Sequence, residues 1–299
     1  MVGLLVLGTA FWGISFPVTK MAMGTVSQST FLAYRFLAAT IVLASVLYKQ
    51  LSRITKSVLL DSMLLAVPLT FGIWFQTLGI KHTSASQCAF VAGISVIIIP
   101  VLKHVFYKSV IDLKVWIAAL IALLGLFVIS VKTSLTIGVG DLYTIIGAVG
   151  FAVYLIKVER YNERSNILPT IVPMFGTCTL IMIGIALVDR NAQWLPSSGG
   201  FWTGIIYCSI FSTAYMYTIS NLSQRYIKAE KVAIIYLFEP VFAAIAAVLI
   251  LNEGLSWRLW IGGALILLGT LVSELDMKWR FISKPKRRLL FKPTEVRSK

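Results

Sequence analysis

The sequence predicts an all-α integral membrane protein of ten transmembrane helices, built as two inverted five-helix repeats. Three observations carry this. Hydrophobic residues make up 58% of the 299 and charged residues only 13%, with a mean hydropathy of +0.86; a soluble domain of that length fills its core with far fewer apolar residues. The apolar residues fall into windows of about 20, the length that spans hydrocarbon. One half of the chain also resembles the other at a fixed, ungapped offset.

The windows are 2–19, 30–48, 58–80, 84–106, 112–131, 139–158, 167–188, 201–222, 229–251 and 256–275. Their connections are too short to hold a soluble domain. Runs this long without apolar/polar alternation are helices rather than barrel strands. The first window has no basic stretch ahead of it and nine more follow, which suits a first helix and not a cleaved signal peptide.

Lys and Arg total 27 against 12 Asp and Glu, for a net charge of +15. In a soluble chain that excess suggests nucleic acid. Here the basic residues sit between apolar windows and set topology instead, so nucleic acid is not an expected partner. With an inner N-terminus, each inner loop carries three: Lys49, Arg53 and Lys56; Lys103, Lys108 and Lys114; Lys157, Arg160 and Arg164; Arg225, Lys228 and Lys231. Each outer loop carries one, in turn Lys20, Lys81, Lys132, Arg190 and Arg258. Both termini are therefore expected in the cytoplasm, in a bacterial inner membrane. The basic segment 277–299 reads as a cytoplasmic tail that retains this topology, with anionic headgroups as a second use.

The composition excludes disordered, coiled-coil, collagen-like and disulfide-scaffold classes. Cys88, Cys178 and Cys208 lie inside apolar windows without metal-ligand spacing and read as packing residues. His82 and His104 fall at opposite ends of spans and cannot pair on a metal. No phosphate-cradling glycine loop with its lysine is present, so ATP is not the direct energy source and no cofactor is expected.

The repeat is clearest where Trp116–Gly125 aligns with Trp260–Gly269 at an offset of 144. The same offset pairs Ala85 with Ala229, Ala89 with Ala233 and Val128 with Val272. Five spans is an odd number, so the second half enters the membrane from the opposite side. The predicted units are 1–133 and 138–276. Two such bundles about a pseudo-two-fold axis in the membrane plane are the architecture of alternating-access transport.

Several segments resemble the EamA-type members of the drug/metabolite transporter superfamily. They are Trp12-Gly13-Ile14-Ser15-Phe16-Pro17, Arg35-Phe36-Leu37-Ala38-Ala39, Thr83-Ser84-Ala85-Ser86 leading to Phe90 and Pro100, Gly140-Asp141-Leu142, Phe151-Ala152-Val153-Tyr154, Glu239-Pro240 and Asn252-Glu253-Gly254-Leu255. The resemblance covers residues 3–275. It implies ten helices, a central substrate cavity and export of small metabolites, without naming the cargo. One departure is Lys157 and Glu159 in the sixth span, where relatives carry an apolar residue followed by basic ones.

The candidate substrate-cavity residues are Trp12, Arg35, Gln76, Tyr154, Lys157, Tyr236 and Glu239. Charges inside spans are costly and face a polar interior. Arg35 either locks helix ends through backbone carbonyls or meets substrate; Lys157 either snorkels to inner headgroups or faces the cavity. Glu159 is expected nearer water as a solvated partner. Glu239 precedes Pro240, which frees the Tyr236 carbonyl and loosens the helix; the acid there suits an ion pair, a cation or a proton. Tyr236 lies three residues before it, on the same helical face. Trp12 and Tyr154 hold related places in the two halves. Gln76 is a lone polar residue in its span, for a helix contact or the cavity. Small faces in the fifth and tenth spans, among them Gly125 and Gly269, suit packing within each half or a homodimer contact.

The expected function is secondary transport of a small polar metabolite, foremost an amino acid or similar zwitterion. A carrier of organic cations or nucleoside-type metabolites is the alternative. A membrane-embedded lipid-modifying enzyme is a distant third, since it needs acidic, His or Cys clusters that the sequence lacks.

Overall fold

The computed structural model describes residues 1–24, 26–83, 85–130, 138–251 and 257–274, and among these there is no strand. The tail from 277 and the Asn252–Leu255 motif lie outside the described residues. The helices are α1 (Val2–Met23), α2 (Gln28–Val46), the short α3 (Tyr48–Leu51), α4 (Lys56–His82), α5 (Ala85–Ala92), α6 (Ser95–Tyr107), α7 (Leu113–Ser130), α8 (Val139–Asn162) and α9 (Leu168–Val188). They continue with α10 (Gly199–Ser209), a π-helical turn (Ile210–Tyr215), α11 (Met216–Ser223), α12 (Ala229–Tyr236), α13 (Glu239–Leu251) and α14 (Trp257–Glu274).

Among the described residues six stretches are long and apolar enough to cross a membrane: α1, α2, α4, Gln87–Tyr107, α8 and α9. Shorter apolar helices run over Leu113–Val128 and Trp260–Ser273. Aliphatic side chains such as Leu60, Leu124, Leu180 and Ile206 are at least 60% exposed around the bundle. That much apolar surface is stable only against lipid.

Three windows read as continuous helices are interrupted. In 84–106, α5 stops at Ala92 and α6 starts at Ser95; in 229–251, α12 stops at Tyr236 and α13 starts at Glu239. Both breaks close with short-range bonds: Gly93 N–H donates to Phe90 O and Ile94 N–H to Val91 O, and likewise Leu237 N–H to Ile234 O and Phe238 N–H to Ile235 O. The causes differ. Pro240 has no N–H for the Tyr236 carbonyl. At Gly93 a Cβ would come within 2.5 Å of Leu126 Cδ2 and 2.8 Å of Leu237 Cδ2, so the absence of a side chain here leaves room for the second break. In 201–222 the π turn sits where Arg35 of α2 donates from Nε to Thr213 Oγ1 (2.8 Å) and from Nη2 to Ser212 Oγ (3.0 Å). Single π turns of this kind mark places where a side chain is accommodated inside a helix.

The offset of 144 found in the sequence also relates helix bounds. Adding it to α5, α6 and α7 gives the bounds of α12, α13 and α14. The α7–α14 contact is reciprocal: a Cβ on Gly125 would lie 2.5 Å from Gly262 O, and one on Gly269 would lie 2.8 Å from Ala118 O. Ala118 and Gly262 are themselves related by 144. The small faces of α7 and α14 thus meet one another across the two halves of the chain, in place of the expected packing within one half. Small residues drive this because apolar side chains gain little by leaving lipid, whereas close backbone approach gains dispersion contact. Gly72, Gly147 and Gly150 do the same for α4 against α8.

Two ends of the bundle can be distinguished. At one, α1 ends, α4 turns into α5 and α8 begins; Lys20 Nζ donates to Thr83 O there (2.7 Å) and Gln87 Nε2 to Asp141 Oδ2 (3.0 Å). The segment after α9 also lies at this end. The Ser29 hydroxyl donates to Asp189, and this bond, with the Asn191 N–H, holds the Asp189 carboxyl below its usual pKa. At the other end α6 and α8 finish and α12 begins.

Candidate functional site

The two helix breaks meet at one cavity. Its wall includes Trp12 of α1, Gln76 of α4, Gly93 and Ser95 beside the first break, and Tyr236 and Glu239 beside the second. The volume is about 20 Å³, room for about one water. Ser95 and Glu239 open α6 and α13 and are related by the offset of 144.

Glu239 is 6% exposed, and its Oε1 has no hydrogen-bond partner. A buried carboxyl oxygen left unpaired is costly, and this one belongs to a residue of the cavity wall. Close packing brings it here: a Cβ on Gly13 would lie 2.4 Å from Glu239 O, so glycine on α1 admits the start of α13.

Aromatic rings form one side of the site. Trp12 stands edge-on to Tyr236 with centroids 5.2 Å apart, 5.2 Å from Phe151 and 5.8 Å from Tyr217. Tyr236 shares a short hydrogen bond with Ser220, which fixes its ring. Tyr154 lies behind Phe151 at 6.1 Å and donates to Asn221 Oδ1 at 2.6 Å.

Of the seven residues read from sequence, the structure brings Trp12, Gln76, Tyr236 and Glu239 together on the cavity and places Tyr154 in the ring layer behind it. Arg35 does not line the cavity. It is 5% exposed, and among the described residues it donates to the Ser212 and Thr213 hydroxyls rather than to backbone carbonyls. Lys157 lies elsewhere too, in an open pocket of about 320 Å³ between the start of α4 and the end of α8, with Asp61, Arg160 and Arg164.

Two features of the site, and one cluster away from it, escape sequence reasoning. Ser95 is recoverable by applying the offset of 144 to Glu239. Phe151 shows in the sequence only as part of a motif. The third is an ion cluster: Lys103 Nζ lies 2.8 Å from Glu159 Oε2 and 2.6 Å from Glu230 Oε2. Glu159 is only 8% exposed, so the expectation of a solvated acid is corrected. Burial follows from its partner: Lys103, which counts as a loop cation by position, reaches in from α6. Among the described residues no group of three His, Cys, Asp or Glu could hold a metal ion.

The profile of the EamA-like transporter family matches residues 1–131 and again residues 138–275. An uncharacterized transporter of Archaeoglobus fulgidus is 26% identical over 275 residues, covering 91% of this chain and 84% of the relative. The uncharacterized transporter YcxC of Bacillus subtilis is 25% identical over 285 residues, covering 89% of this chain and 90% of the relative. A solved crystal structure superposes with a TM-score of 0.73 over 91% of this chain and 96% of its own, at 16% identity, which shows the shared fold. Such a chain takes lipid as its solvent and a small molecule as its substrate, and it is not an enzyme. It belongs to the EamA-like transporter family.

Proposed function

We propose that the protein is a secondary transporter that exports a small polar metabolite carrying a positively charged nitrogen, by alternating access of two inverted five-helix units, 1–133 and 138–276. The single observation that carries this is the convergence of two helix breaks, 144 residues apart and closed by the same bonds, on a cavity holding a buried carboxyl group with an unpartnered oxygen. Broken helices related by a repeat are where transporters of this architecture hold their cargo. A volume of about 20 Å³ admits a water and no metabolite, so cargo requires the halves to part.

The ammonium is the part the cavity specifies. Glu239 supplies its counter-charge, and Trp12 and Tyr236 supply ring faces worth about 0.5–2 kcal/mol to a cation. Amino acids remain within this class. Their carboxylate does not meet Arg35 or Lys157 at the cavity, and this favours the organic-cation alternative over the strict zwitterion. Ten spans, both termini in the cytoplasm of a bacterial inner membrane and a cytoplasmic tail at 277–299 complete the reading.

The test has two arms. An aromatic ammonium loaded into vesicles holding the purified protein is expected to leave faster than from empty vesicles, and equal rates reject the transport reading. A reporter enzyme active only outside the cytoplasm is expected to be silent when fused after Lys299 and active when inserted near Asn191. The opposite pattern overturns the orientation.

A further inference from the structure

The cluster of Lys103, Glu159 and Glu230 takes no part in the cavity, yet it is the densest knot of charge among the described residues. Lys103 Nζ donates to both oxygens of Glu159 (2.9 and 2.8 Å) and to Glu230 Oε2 (2.6 Å), and the Ala229 backbone N–H donates to Glu159 Oε2 (3.3 Å). All three residues are at most 9% exposed. They come from α6, α8 and α12. The cation lies before residue 131 and both acids after residue 138, so every bond of the cation crosses between the two halves of the chain. The cluster sits at one end of the bundle, where α6 and α8 finish and α12 begins. At the opposite end, bonds among the described residues that cross between the halves include Gln87 to Asp141 and Ser29 to Asp189, while exposed Lys20 bonds the Thr83 carbonyl within the first half.

We propose that Lys103, Glu159 and Glu230 form an ionic latch that holds this end of the bundle closed, and that its parting is the step that opens the Glu239 cavity to that side. This rests on the alternating-access reading. The physical argument is that a buried cluster of this kind has two favourable arrangements. Paired, its charges satisfy one another; fully parted, they are hydrated. A small separation without water leaves ions unpaired in a low-dielectric interior, which is unfavourable. Such an element switches between two states and does not deform gradually, which is what a gate requires. Its position fits: Glu230 opens α12, whose other end, at Tyr236, borders the cavity. Moving α12 away from α6 and α8 thus breaks the latch and widens the break beside Glu239 together. The resting protein is thus closed at the Lys103 end, and parting of the latch opens it there.

Hydrogen exchange of the full-length protein in lipid nanodiscs tests this. A triple variant, Lys103→Met with Glu159→Gln and Glu230→Gln, removes the charges without stranding one. Glu230→Gln alone keeps the Lys103–Glu159 pair and serves if the triple variant does not fold. Amide exchange in peptides covering 98–107 and 227–236 is expected to quicken by about tenfold or more in the triple variant and by less in the single one. Exchange in peptides covering 79–90 and 139–146 is expected to slow, since opening one end closes the other. Unchanged exchange at the Lys103 end overturns the latch. A rise of equal size at both ends also overturns it, because that marks a merely structural ion cluster. Efflux of an aromatic ammonium by the wild-type protein reports on the transport reading separately: efflux with unchanged exchange in the variants rejects the latch alone.

Discussion

Phenylalanine ethyl ester is expected to raise the melting temperature of the purified protein at least as far as phenylalanine does, and N-acetylphenylalanine is expected to leave it unchanged. The three share one ring. The ester carries only an ammonium, the acetyl derivative only a carboxylate, and the parent both. A ligand that binds the folded state stabilises it by mass action, so the order of shifts is the order of affinities. The cavity wall contains Glu239 with an unpaired oxygen and no Lys or Arg. An ammonium there gains a charge-assisted hydrogen bond, while a lone carboxylate finds no cation. Such a bond is worth about 1.5–3 kcal/mol. Glu239→Gln should therefore weaken the ester and phenylalanine by about 10- to 100-fold, with little change in the melting temperature of the unliganded protein. Preference for the acetyl derivative, or a Gln variant that binds the ester as the wild type does, rejects Glu239 as the cation site.

Hydropathy placed most of the helices because burial in lipid depends on side chains taken locally. The windows 2–19 and 58–80 lie inside α1 and α4, short of their ends by a few residues. It was blind to the breaks, since a backbone turn of apolar residues is as apolar as a helix. The information was nevertheless present in the repeat: the Gly93 and Pro240 breaks fall at one offset although their chemical causes differ. Glu239 stood out because a carboxyl group deep in an apolar run, beside a proline, is too costly to keep for packing alone. Arg35 and Lys157 did not reach the cavity for a reason that linear reading cannot supply. A charge within a span must face something polar, but the polar partner can be another wall of the bundle: for Arg35 it is a pair of hydroxyls 177 and 178 residues away. Lys103 shows the converse. Its place near a span end reads as a solvated cation, and only Glu159 and Glu230, 56 and 127 residues distant, make it a buried one.

Gly125→Ala and Gly269→Ala are expected to destabilise the protein by similar amounts, whereas Gly184→Ala should stabilise it slightly. All three add one methyl group to a helix, and in a helix with free space that gains about 0.5–1 kcal/mol by restricting the unfolded backbone. Gly184 has that space, with nothing within 4 Å of an added Cβ. The other two do not. A Cβ on Gly125 meets Gly262 O at 2.5 Å and Ile266 N at 2.9 Å, and one on Gly269 meets Ala118 O at 2.8 Å and Ala122 N at 3.0 Å. These are backbone atoms, which cannot rotate aside, so α7 and α14 must separate along their crossing. Overpacking a fitted contact costs about 1–3 kcal/mol, and loss of backbone contact along two helices places these sites towards the upper end. At roughly 2–4 °C per kcal/mol, each substitution should lower the melting temperature in detergent by about 5–10 °C. The two should match because the contact is reciprocal: each glycine of one helix lies on the small residues of the other that correspond to its own neighbours. A large loss at one glycine with tolerance at the other would show that the crossing is not two-fold. Tolerance at both would mean that α7 and α14 do not pack at this distance.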